Sequence, residues 1–303
     1  MRSPPKNVPA SVRARLLNLS KDREEDFNLT LSRFASERFL YRLGKSEHRK
    51  KYFLKGAMLL TSLLEEARYR PTRDIDVLKK GTGERESIIK DISAVCSIVD
   101  SSDGLVFDIS RATFDDIREN NRYHGVRAKI PVRLGDARIP LQIDIGFGDA
   151  VYPPPQTVIV EPLLDHEAPE VFAYPLQAVV AEKLEAIVSI GMVTSRMKDF
   201  FDLYTIASSR RFDRRDLFES IQTTFDRRGT PLPMEIPTVL DQAMPKDPSK
   251  QTQWGAFVRR IERSPAELPL DVVVGRIREF TRIIWDRCLH ADITTWTPEN
   301  GWH

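Results

Sequence analysis

The chain has 303 residues, 41% of them hydrophobic and 30% charged, with a formal net charge of +2. That length buries a sizeable core as one large domain or two ordinary ones, and the balance excludes disordered and collagen-like chains. No apolar run is long enough to span a bilayer and the N-terminus lacks the apolar core of a signal peptide, so a cytoplasmic protein without membrane contact is expected.

Residues 1–50 carry 12 Lys/Arg against 6 Asp/Glu, whereas 51–180 carry 16 against 20. The basic arm, with Arg13, Arg15, Arg33, Arg38, Arg42, Lys45, Arg49, Lys50 and the following Lys51, suits a polyanion such as RNA, or is simply a solvated helix face. Apolar residues at helical spacing predict one or two helices over 10–44. A short strand, YFLK, then leads to Gly56, and AMLLTSLLEEA reads as a buried helix. Pro71 ends it and biases Arg70 toward extended geometry. The strand DIDVL follows.

Ile88, Ile92, Val95 and Val99 share one face of a predicted helix that also holds Cys96, and GLVFDIS reads as a strand. VRAKIPVRL and ARIPLQIDIGF alternate apolar and polar residues on either side of Gly135-Asp136, the pattern of a hairpin. After YPPPQ the chain changes character, with helices expected near 175–190, 195–208, 213–227, 253–263 and 270–289. The last of these contains Cys288, which like Cys96 reads as a reduced core residue. Arg210, Arg211, Arg214 and Arg215 form a second basic group. The five histidines are scattered and offer no zinc-ligand spacing.

Side chains alternate along a strand, so Asp74 and Asp76 face one way while Ile75 and Val77 face the core. Two carboxylates crowded on one face raise each other's cost of ionisation unless something positive lies between them. Oxygen donors without histidine or cysteine favour Mg²⁺ or Mn²⁺. Asp144, sharing a face with Gln142 on a later strand, is a third such carboxylate. Lys183 lies in the apolar stripe Leu176, Val180, Ile187 of its helix, where a cation needs a partner, a cleft or a route for its head to water. Arg196 with Asp199, and Lys198 with Asp202, are spaced for ion pairs along a helix.

Strand, glycine, helix, turn, Asp-x-Asp strand and a third aspartate together form the layout of the nucleotidyltransferase superfamily. FLKGAMLL, RYRPTRDIDVL and AEKLEAIVSIGMVTSRMKDFFDLYTI, in that order, resemble more narrowly the AbiEii/AbiGii (MenT-like) nucleotidyltransferase toxin family of type IV toxin-antitoxin systems. The chain departs from many relatives at Ala57, where they have glycine or serine after Gly56.

The resemblance implies a fold, a site and an activity. The fold is α/β, a nucleotidyltransferase-like mixed sheet flanked by helices with a C-terminal helical domain. It divides as an N-terminal helical arm (1–50), the nucleotidyltransferase-like domain (51–172) and a helical domain (173–303) that contributes Lys183 and the Arg196–Asp202 motif. Asp74, Asp76 and Asp144 would hold Mg²⁺ or Mn²⁺, Lys55, Gly56, Thr72, Lys183 and Arg196 would contact the NTP, and Asp199 or Asp202 would hold Lys183. The implied acceptor is the 3′ end of tRNA, and a cognate antitoxin is the implied partner. Transfer to a protein or a small molecule, or a silent nucleotide- or RNA-binding scaffold, are the competing readings.

Overall fold

The computed structural model describes residues 7–64, 72–81, 83–119, 123–148, 151–286, 290 and 292–303, apart from the side chains of 118, 119, 123 and 124. Arg70, Pro71 and Cys288 lie outside the described residues. Two compact units divide the chain, one of 1–149 with 155–174 and the other of 150–154 with 175–303.

The first unit opens with two helices, α1 (Val8–Asp22) and α2 (Phe27–Lys45). Asn7 caps α1 through the amide of Ala10, Asp26 caps α2 through that of Leu29, and so each breaks the chain where the orphan amides need an acceptor. Next come β1 (Tyr52–Lys55), α3 (Gly56–Leu63), β2 (Asp74–Lys79) and α4 (Arg85–Cys96). The remaining strands are β3 (Leu105–Phe107), β4 (Thr113–Glu119), β5 (Tyr123–Leu134), β6 (Ala137–Phe147), β7 (Gln156–Ile159) and β8 (Glu170–Ala173).

These strands form one mixed sheet in the order β3-β5-β6-β2-β1-β8-β7, with β4 also paired to β5. The pairs β2–β6 and β1–β8 are parallel and the others antiparallel. The β5–β6 hairpin turns at Gly135, whose φ of +59° suits a residue without Cβ, and its register pairs Leu134 with Ala137. One face of the central strands is apolar and buried: Ile75 and Val77 of β2, Ile143 and Ile145 of β6, Val126, Ala128 and Ile130 of β5. α2 packs on β6 and β8.

An ionic cluster underlies α2. Arg42 donates to Asp103 at 2.6 Å and to the carbonyl of Ile98 at 2.9 Å. Arg38 donates to Asp100 at 2.8 Å and to the carbonyl of Glu167 at 2.8 Å. Arg38, Arg42 and Asp103 are fully or almost fully buried. Glu37 is buried beside them, and desolvation raises its pKa although the Leu163 amide and Arg38 oppose the shift.

The basic arm is therefore only in part a solvent-facing surface, with Arg13, Lys50 and Lys51 exposed. Arg38 and Arg42 face the interior, Arg33 pairs with Glu25 and Lys45 with Glu167, and Arg15 and Arg49 bridge to Asp165 and Glu170. Val99 is a correction: it lies beyond the end of α4 and is 88% exposed, while Ile88, Ile92 and Val95 are buried as expected. Cys96 sits in the core, where burial pushes its thiol up to about 12.

The second unit holds α5 (Leu176–Ile190), α6 (Met197–Ser209), β9 (Phe212–Asp213), α7 (Arg214–Arg228), α8 (Ala243–Lys246), α9 (Pro248–Arg260), α10 (Leu270–Thr281), β10 (Thr295–Thr297) and β11 (Gly301–Trp302). α5 packs against α6 and α7, and α6 against α9 and α10. Asp213 caps α7, which ends at Gly229 in the left-handed region. The small sheet β11-β10-β9, absent from the helical expectation, places Trp296 and Trp302 around Phe280. No described helix is long and apolar enough to cross a membrane.

Candidate active site

Strand alternation predicts the exposure along β2: Ile75 and Val77 are buried, Asp74 is exposed and Asp76 half-buried. Sheet register then assembles what sequence distance separates. Antiparallel pairing sets Lys55 opposite Asp76, parallel pairing sets Asp76 opposite Asp144, and the hairpin sets Asp144 opposite Arg127. Lys55, Asp76, Asp144 and Arg127 thus form a transverse row over four strands. Asp74 lies one step along the same face, opposite Gln142.

Asp144 is held by two charge-assisted hydrogen bonds, from Arg127 Nε at 2.8 Å and Nη2 at 2.7 Å, the bidentate geometry that matches guanidinium to carboxylate. The Arg127 pKa is raised, mainly by these bonds; burial opposes, and the charges of Asp144, Asp74 and Asp76 add to the rise. Sequence reasoning missed Arg127. The signal was present, because a two-residue turn at Gly135-Asp136 fixes which residue of β5 faces Asp144.

Gly56 adopts φ +72°, and a Cβ there would lie 2.0 Å from Asp76 Oδ2. Only glycine lets the chain enter α3 this close to the carboxylate. Lys55 extends over the ring of Tyr174, 5.4 Å from its centroid. The Thr72 hydroxyl donates to the carbonyl of Asp74 at 3.4 Å, and Arg73 approaches Asp26 at 3.6 Å.

The candidate metal ligands of this face are carboxylate oxygens, which suits Mg²⁺ or Mn²⁺ better than zinc. Among the described residues, no three acidic, histidine or cysteine side chains are disposed as a ready-made cage. Mg²⁺ does not require one: it commonly takes one or two carboxylates and completes its shell with water and substrate phosphates. Asp74 and Asp76 fit that mode.

In the second unit, Lys183 of α5 donates to Asp199 Oδ1 at 2.8 Å and to Asp202 Oδ2 at 2.6 Å. Arg196 Nε donates to the other oxygen of Asp199 at 2.6 Å. The side chains of Lys183, Asp199 and Asp202 are 13%, 2% and 0% exposed. Burial acts to raise the Asp199 pKa, but the charges and hydrogen bonds of Lys183 and Arg196 overcome it and hold the carboxyl well below its usual range.

The expected Arg196–Asp199 pair is present. Of the two readings of Asp202, the pair with Lys198 is not the one formed: Asp202 is buried and turned to Lys183, which it was expected as an alternative to hold, while Lys198 is exposed. Lys250 of α9, also missed, is buried and donates to the Thr194 carbonyl at 2.7 Å, while the Thr194 hydroxyl accepts from the Arg196 amide at 3.2 Å. Lys250 thereby braces the turn that presents Arg196. Asp74, Asp76, Asp144, Lys55, Gly56 and Thr72 belong to the first unit; Lys183, Arg196, Asp199 and Asp202 belong to the second.

Residues 38–280 match the family model of the AbiEii nucleotidyl transferase toxin of type IV toxin-antitoxin systems. No curated protein matches the chain. Among solved structures, JHP933 from Helicobacter pylori is 13% identical with a TM-score of 0.43, covering 79% of this chain and 84% of its own. A candidate nucleotidyltransferase from H. pylori is 12% identical with a TM-score of 0.44, covering 79% and 87%. With its eight-stranded mixed sheet, its Asp-x-Asp strand and a family match over most of its length, the chain belongs to the AbiEii nucleotidyltransferase toxins.

Proposed function

We propose that this nucleotidyltransferase toxin transfers NMP from an NTP to the 3′ acceptor end of tRNA in a Mg²⁺-dependent reaction, stopping translation in the cytoplasm. The observation that carries the chemistry is the transverse row, with Asp76 opposite Asp144 and Asp74 one step along the same face. Family membership implies the NTP and an antitoxin partner; the tRNA acceptor rests on the likeness to that family.

Asp74 and Asp76 would hold the divalent ion, with Asp144 beside them. When bound, the ion supplies charge neutralisation on the phosphates. The acceptor hydroxyl oxygen forms a bond to the α-phosphorus while the α–β bridging P–O bond breaks and pyrophosphate leaves. The hydroxyl proton passes to a carboxylate oxygen of Asp144. Lys183 and Arg196 would neutralise triphosphate charge, with Asp199 and Asp202 fixing the ammonium of Lys183. Such a reaction asks the protein chiefly for positioning and electrostatics.

The test combines purified protein, Mg²⁺, total tRNA and each α-labelled NTP in turn. Label should enter tRNA and fall at least about a hundredfold in Asp74→Ala. Label entering only protein or a small molecule would overturn the RNA assignment, and transfer undiminished by EDTA would overturn the metal.

A further inference from the structure

The carboxylate face already contains a cation. Arg127 spans both oxygens of Asp144, and its side chain, 37% exposed, has solvent on one side into which it can turn. Asp115, opposite Arg127 on β4, is engaged by Lys129 at 3.1 Å and so has a cation of its own. With the guanidinium across both oxygens, a proton or an ion approaching Asp144 meets a fixed positive charge and is left only the lone pairs turned away from it. A divalent ion near Asp76 and Asp144 would also stand within Coulombic reach of the guanidinium.

We propose that Arg127 is an exchangeable counter-ion: it neutralises and orients Asp144 in the nucleotide-free protein, then yields one carboxylate oxygen and turns onto a phosphate of the arriving nucleotide. The inference rests on the metal reading of the proposed function. Arg127 is thereby a positioning residue for Asp144 before the substrate arrives and a phosphate ligand afterwards. The arrangement keeps an acidic face from carrying excess charge while empty, and it opposes capture of a divalent ion alone. A guanidinium suits both duties, since its fork matches carboxylate and phosphate equally.

The test is Mn²⁺ binding to the nucleotide-free protein, followed by electron paramagnetic resonance of the free ion, in wild type, Arg127→Gln, Arg127→Lys, Arg127→Gln/Asp144→Asn and Asp74→Asn. Removing a unit charge close to a divalent ion should tighten Mn²⁺ binding about tenfold in Arg127→Gln. Arg127→Lys, which keeps the charge but not the fork, should show a smaller gain, and the Asp144→Asn double variant should lose it. In parallel, binding of a non-hydrolysable NTP with Mg²⁺ should weaken about tenfold in Arg127→Gln. A merely structural role would weaken both affinities, so the opposite signs are diagnostic.

Unchanged or weaker Mn²⁺ binding in both Arg127 variants would overturn the counter-ion, and unchanged NTP binding would overturn the transfer to phosphate. Either result leaves the metal reading intact provided that Asp74→Asn abolishes Mn²⁺ binding in the wild-type background. Absence of Asp74-dependent Mn²⁺ binding in every variant would instead refute the metal reading and this inference with it.

Discussion

Replacing Lys183 by Met tests the second unit's ionic network most directly. The substitution keeps most of the stem's volume and deletes one positive charge, with its hydrogen bonds of 2.8 Å to Asp199 and 2.6 Å to Asp202. Both carboxylates are almost fully buried, so water cannot replace the ammonium. Breaking a buried pair by removing one partner costs about 3–5 kcal/mol, because the remaining charge is left uncompensated. Arg196 still serves Asp199, which offsets part of that cost. All four tryptophans, Trp254, Trp285, Trp296 and Trp302, lie in this unit, so urea melts followed by tryptophan fluorescence report it selectively. The loss should be largest near pH 8 and shrink toward pH 5. A carboxylate deprived of its cation has a raised folded-state pKa, and the stability of its protonated form is lost as pH rises through that value. A loss below about 1 kcal/mol at pH 8, or one independent of pH, would refute a desolvated network and return Lys183 to the status of a surface pair.

Asp199 predicts the opposite pH dependence in the unaltered protein. Its folded-state pKa is depressed, so its contribution is present above the unfolded value of about 4 and is lost as pH falls; Asp199→Asn should flatten the acid limb of the same fluorescence melts. Gly56→Ala should cost about 1–2 kcal/mol for the left-handed backbone and, by driving a Cβ into the Asp76 carboxylate, reduce NMP transfer by tenfold or more while the protein remains folded by circular dichroism. Arg42→Ala should lower stability by about 3–5 kcal/mol, measured by circular dichroism in urea, because Asp103 is left buried with one of its two guanidinium partners gone; tRNA affinity of the folded fraction should not change.

The central strands were legible because their alternation is strict and the hairpin turn is marked by Gly135-Asp136, which together fix the faces of Asp74, Asp76 and Asp144. The helices at 176–190, 197–209 and 214–228 were legible from apolar periodicity. Short strands were legible only in part: β1 and β3 were read, but β8 and the pieces of the small C-terminal sheet, of four residues or fewer, were not, and these exist because neighbours supply their hydrogen bonds. The burial of Arg38 and Arg42 was hidden because a charge count cannot register it, and the acids that pair with the arm, Asp100, Asp103, Asp165, Glu167 and Glu170, come from distant parts of the chain. Lys198–Asp202 failed for a related reason. A helical spacing names an available partner, but a cation from a neighbouring helix reached the buried carboxylate at 2.6 Å.

The transverse row also bears on when activity can arise during synthesis. Its members lie on four strands, and the parallel contact between β2 and β6 forms only after the intervening chain has been made and its hairpin closed. Non-local pairings of this kind carry the loop-closure cost of the segment between them and form late. A ribosome-bound fragment ending before β6 possesses Asp74 and Asp76 but neither Asp144 nor its place in the sheet. An unfinished chain of that length therefore carries only half of the carboxylate row.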